Sequence, residues 1–254
     1  MLISLKRTAK ATLLGLGLMG LASNQADAGL ILSYEAAGVQ ASTVSGVTTE
    51  SFNEYTAGKY NGVSGAATSI GTLNSPGVAI VAADQFGGAG GTGNYFAIGA
   101  ESGTTTASLT FNGAQAYFGF WWSAADTLNS VDFYSGGKLL GSFSAAAAIS
   151  ALGSAFNGNP NNGGDGGEKF AYLNFTATNG TTIDQVVFNN ASTATGFEAD
   201  NFSVKSVDQA GPSGTVIANG FVPVVPEPSS IVLASIGGLI AAGGRVRTRR
   251  RAKA

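Results

Sequence analysis

Cysteine and histidine are both absent from the 254 residues. Their absence removes thiol nucleophiles, imidazole general bases, Ser-His-Asp triads and the usual zinc ligand sets. Disulfides go with them, although a chain without cysteine suits an oxidising compartment as well as a reducing one. Charge is scarce too, at 11% of residues, against about 25% in an average domain. Basic residues are scarcer still in the interior. Lys6, Arg7 and Lys10 lie at the start and Arg245, Arg247, Arg249, Arg250, Arg251 and Lys253 at the end, which leaves Lys59, Lys138, Lys169 and Lys205 between them. All of the 15 acidic residues except Asp27 and Glu227 fall in that interior. An acidic body of this kind is not a nucleic-acid partner, because phosphate neutralisation requires clustered Lys and Arg.

What remains is a β composition: 38 Gly, with abundant Thr, Ser, Asn, Phe and Val. Several stretches alternate at period two. Leu109/Phe111 and Phe118/Phe120/Trp122 flank Asn112-Gly113, which predicts a hairpin. Val131 and Phe133, then Ser135-Gly136-Gly137, then Leu140 to Phe143 predict a second. A third runs from Leu173/Phe175 through Asn179-Gly180 to Val186/Phe188, and Phe202 and Val204 close the body. Many short antiparallel strands predict an all-β, two-sheet sandwich, a jelly roll, over residues 29–207. The one helix expected is the Ala run at 144–154, bounded by Ser and Gly.

Both ends have the pattern of processing signals. "MLISLKRTAK" is a positive leader, "ATLLGLGLMGLA" a short apolar region, and "ADA" before Gly29 puts Ala26 and Ala28 where a signal peptidase reads small side chains. A signal peptide over 1–28 is therefore expected. At the other end, residues 229–244 carry no charge. These sixteen residues cover about 24 Å of a ~30 Å hydrocarbon core, a short transmembrane helix. The arginines behind it keep that end cytoplasmic by the positive-inside rule, leaving the body outside. Residues 208–225, rich in Gly, Pro and small side chains, have the composition of a tether, with a short edge strand around 215–217 as the competing reading.

The order Pro226-Glu227-Pro228, apolar run, arginine block resembles the PEP-CTERM sorting signal of Gram-negative bacteria. The resemblance covers residues 226–254. It implies recognition at Pro226, Glu227 and Pro228 by exosortase, a membrane transpeptidase. It further implies transient retention in the inner membrane and a translocation stop at Arg245, Arg247, Arg249, Arg250 and Arg251. The body, in "NYFAIGAESGTTTASLTFNGAQAYFGFWWSAADTLNSVDFYSGGKLLGSF" and "GFEADNFSV", resembles the extracellular sandwich domain common in proteins with that signal. That likeness implies a fold and hardly a function.

Three features of the body are candidate binding elements. The loop 156–170 holds Asp165 and Glu168 among Asn and Gly, oxygen donors that Ca²⁺ accepts, though without EF-hand spacing; a plain loop is the alternative. Glu198, Asp200 and Asn201 form a second Ca²⁺ candidate with Asp126 if the strands gather them, the alternative being turn caps. Beyond such structural Ca²⁺ no cofactor is expected. Tyr117, Trp121 and Trp122 could stack a sugar; alternation places the two tryptophans on opposite faces, so at most one is expected in the core. The expectation is a non-catalytic exported protein of the cell surface or extracellular matrix, associated with exopolysaccharide. The alternatives are a lectin-like carbohydrate-binding module and a polysaccharide-degrading enzyme that works with carboxylates alone.

Overall fold

The computed structural model describes residues 29–207, 211–218 and 221–223. The leader over 1–28 and the sorting segment over 226–254, with its apolar run at 229–244, lie outside the described residues. Among the described residues no helix is long and apolar enough to cross a membrane.

The strands in chain order are β1 (Leu30–Tyr34), β2 (Thr48–Glu50), β3 (Gly58–Ala67), β4 (Gly71–Ala82), β5 (Asn94–Gly99), β6 (Thr106–Gln115) and β7 (Tyr117–Ala125). They continue as β8 (Asn129–Ser135), β9 (Lys138–Ser144), β10 (Lys169–Ala177), β11 (Ile183–Asn190), β12 (Gly196–Lys205), β13 (Thr215–Val216) and β14 (Phe221–Pro223). A single hydrogen-bonded path joins them in the order β13-β1-β10-β7-β12-β5-β4-β6-β11-β8-β9-β14, with β2 added to β12 and β3 to β4. The result is one curled antiparallel sheet where two separate sheets were expected.

β4 makes the curl. Its far half, Ala79 to Ala82, pairs with β5, while its near half, Gly71 to Asn74, pairs with β6. One long strand thus belongs to both walls. At the β6 contact Gly71 is required by space: a Cβ there would lie 2.3 Å from the Thr110 carbonyl oxygen. The walls face each other across a phenylalanine core. Phe188 on β11 meets Phe96 on β5 at 5.4 Å, Phe120 on β7 at 6.0 Å, and Phe197 and Phe202 on β12 at 5.5 and 5.0 Å between ring centroids. Such pairs add about 0.5–1.5 kcal/mol each beyond the area they bury.

The expected hairpins divide by turn geometry. Gly136 and Gly137 both have positive φ, 55° and 74°, and Ser135 pairs with Lys138, so β8–β9 is a two-residue hairpin. Asn112-Gly113 makes no turn. Neither residue has positive φ, β6 runs on to Gln115, and the buried Ala116 carries the chain to the opposite wall. Asn179 and Gly180 do turn, with φ of 57° and 73°, yet β10 pairs with β1 and β7 while β11 pairs with β6 and β8. That turn is a crossover between walls.

The Ala run forms a shorter helix than expected, α1 (Ala145–Ala151), which continues directly from β9 and buries Ala145 and Ala148. Two short strands fall within the segment read as a tether. β13 pairs with β1, and β14 pairs with β9.

Candidate functional site

β7 crosses the middle of one wall and is buried along its whole length. Phe118, Phe120 and Trp122 point into the main core, and Trp122 Nε1 donates to Asn129 Oδ1 at 3.0 Å. Trp121 points to the outer face, where Ala124, Phe170 and Tyr172 pack round it, flanked by Phe86 and Ala89. Alternation thus assigns the faces as expected, but both tryptophans are at most 1% exposed. The aromatic platform expected at Trp121 or Trp122 has no open ring face, because the segment between β4 and β5 lies over Trp121 and the main core encloses Trp122. Sequence alternation registers the strand and says nothing of a loop that folds back from elsewhere.

That cover is held by carboxylates. Asp84 Oδ1 accepts the backbone N–H groups of Phe86 (2.8 Å) and Gly87 (3.2 Å) and the Tyr95 hydroxyl (3.1 Å). Asn159 Nδ2 donates to the carbonyls of Asp84 (3.1 Å) and Gln85 (3.2 Å). Asp200, 2% exposed, accepts the N–H of Ala89 at 2.8 Å and of Asn201 at 2.6 Å. Burial nevertheless pushes its carboxyl up to about 7, against those two N–H bonds. Asp200 is thereby tied to the backbone of both the cover and its own strand. Asp126 likewise caps a turn, accepting Leu128 N–H at 2.9 Å.

The other acids converge at one end of this wall. Glu198, on β12, is 4% exposed and pushed up to about 9, first by burial, then by the charges of Glu101 and Glu168, with a smaller contribution from Asp126. Glu168 rises to about 7 through burial, its contact with Asp165, and the Asp165 and Asp126 charges. Of the expected candidates, Glu198 therefore lies in the field of Glu168 and Asp126, and Glu168 in that of Asp165 and Asp126. Glu101, in the turn after β5, is the member that sequence reasoning missed. It lies 97 positions from Glu198 in the chain, and no spacing rule joins them. Both touch the space over Gly196, where a Cβ would fall 1.6 Å from Glu198 Oε1 and 2.9 Å from Glu101 Oε2. The Glu101 Oε2 and Asp165 Oδ2 atoms are buried without a hydrogen-bond partner. Among the described residues no three acidic side chains are already gathered to hold a metal ion.

The cavity of note among the described residues is separate. It is apolar, has an empty volume of about 350 Å³ including open solvent, and lies under β3 between Phe52, Tyr55, Tyr60, Val63 and Ile80.

An antiparallel β body whose aromatic residues are spent on its core, followed by an apolar and basic C-terminal segment, defines a β-sheet protein with a C-terminal address. The address itself is shown: a family model described as the PEP-CTERM protein-sorting motif matches residues 224–251, so the chain carries that motif. The motif implies export, membrane-anchored sorting and processing by exosortase. Neither the curated proteins nor the solved structures compared with the chain give a match.

Proposed function

We propose that this protein is a non-catalytic component of the cell surface or extracellular matrix, delivered by exosortase and associated with exopolysaccharide. The observation that carries the reading is the sorting motif at 224–251. The composition of the body supports it. Charge is 11% of the whole chain and most of its basic residues lie in the two end segments, so the body's solvent contacts fall largely to hydroxyl and amide groups, which hydrogen-bond a hydrated polymer with little competition from salt. Burial of both tryptophans favours a structural matrix role over a lectin-like one, since net hydrogen bonds of about 0.5–1.5 kcal/mol give little affinity without an aromatic anchor.

The test is expression in an exosortase-containing host, followed by fractionation and intact-mass measurement. The surface fraction is expected to lack the segment after about Pro228. Replacing Arg247, Arg249, Arg250 and Arg251 with Ser is expected to release unprocessed precursor into the periplasm. Full-length tail in the surface fraction would overturn the reading.

A further inference from the structure

The acid-lined end of the β7–β12 wall lacks something that its own side chains do not provide. β7 and β12 pair so that Ser123 stands opposite Glu198, on the same face of the sheet. Ser123 is 0% exposed and its hydroxyl has no hydrogen-bond partner. A buried hydroxyl normally finds a partner, and leaving it without one costs on the order of 1–3 kcal/mol. Beside it, the Glu198 and Glu101 oxygens bracket one point over Gly196, close enough together to be neighbouring ligands of a single ion. The buried Glu101 oxygen is also unpartnered. Nearby basic charge does not answer them: Lys169, next to Glu168 in the chain, donates to neutral oxygens, the Gly153 carbonyl at 2.9 Å and Asn157 Oδ1 at 2.6 Å. Gly196 keeps the space clear, since any side chain there would strike both carboxylates.

We propose that a divalent cation of the Ca²⁺ class binds between Glu101 and Glu198, with the Ser123 hydroxyl as a neutral donor and Glu168 and Asp126 as the surrounding negative charge. Hard cations take oxygen ligands from carboxylates, hydroxyls and water and need no histidine or cysteine, which this chain lacks. Half-buried Glu101 gives the path from solvent. The ion ties the turn after β5 to β12, and through Glu168 and Asp126 to the loop before β10 and the turn after β7. In an exported protein a weak site suffices, in the range of about 10⁻⁴–10⁻³ M found for extracellular modules.

The experiment uses the full chain in a nonionic detergent at about pH 7.5, titrated with CaCl₂ and, separately, MgCl₂. Binding is followed by calorimetry and stability by thermal unfolding against EDTA. Saturating Ca²⁺ is expected to raise Tm by about 5 °C or more through preferential binding to the folded state. Glu198→Gln and Glu101→Gln are each expected to weaken Ca²⁺ binding at least tenfold, while the exposed control Glu54→Gln responds like the parent. Glu101→Gln, at a half-buried position, keeps the test valid if Glu198→Gln fails to fold. The proposal is overturned if Ca²⁺ gives neither heat nor Tm shift, or if both Gln variants respond as the parent does. Stabilisation by Glu198→Gln with no Ca²⁺ response in the parent also overturns it and assigns the pair a shared proton instead.

Discussion

Asp200 Oδ2 accepts the backbone N–H of Ala89 at 2.8 Å, across 111 positions of chain, and this bond helps to close the segment between β4 and β5 over Trp121. A wall residue and a loop residue thus settle whether an indole is open or hidden. Asp200→Ala leaves the Ala89 and Asn201 N–H groups without their acceptor. The expected cost is about 1–3 kcal/mol, with red-shifted tryptophan emission and faster acrylamide quenching. Unchanged emission and unchanged stability would show that Phe86 and the Asp84 turn hold the cover alone.

Stability should depend on pH in a direction unusual for acidic residues. Glu198 in the folded state titrates near 9 instead of 4.5, so the folded protein keeps a proton that the unfolded chain gives up above about 4.5. The contribution is full below 4.5 and is lost as pH rises towards 9; Glu168 adds the same trend between 4.5 and about 7. In EDTA, thermal melts at pH 5, 7 and 9 are expected to show a falling Tm. Each tenfold difference in proton affinity between the folded and unfolded chain is worth ~1.4 kcal/mol, and each kcal/mol moves Tm by ~2–4 °C, so even a fraction of the effect is measurable. Glu198→Gln is expected to flatten the profile.

Phe188 bridges the walls, since it touches residues of β5, β7 and β12 at once. Phe188→Ala is expected to cost about 3–5 kcal/mol, because rings on several strands cannot all collapse into the vacancy. Urea unfolding measures it. A cost below about 1.5 kcal/mol would mean that the walls close without that contact.

The parts of this fold that could be read from sequence are those set within a few residues. The β8–β9 hairpin was legible because Gly136-Gly137 supplies two positive-φ positions between alternating strands. Asn112-Gly113 has the same local chemistry, but extended pairing of β6 with β4 and β11 overrides it. The Asn179-Gly180 turn was legible, and its partners were not, since turning by itself does not say which wall the next strand joins. Burial of Trp121 and the meeting of Glu101 with Glu198 depend on segments far apart in sequence. For them, alternation gives the face and tertiary packing gives the rest.

β14 covers the outer side of β9 through Phe221, Val222 and Pro223, and Pro226 follows only three residues later. Three extended residues reach about 10 Å, so a processing enzyme acting at Pro-Glu-Pro works against the rim of a folded sheet. The strand lies on the amino side of that motif, so cutting within or after it leaves β14 with the body. An uncovered β9 would present free N–H and C=O groups to the next molecule, the route by which sheets join edge to edge. β14 is the edge in its place, but it is only three residues long and ends at Pro223, so the folded body carries its own guard against unplanned stacking, and a cut placed a few residues earlier would remove it.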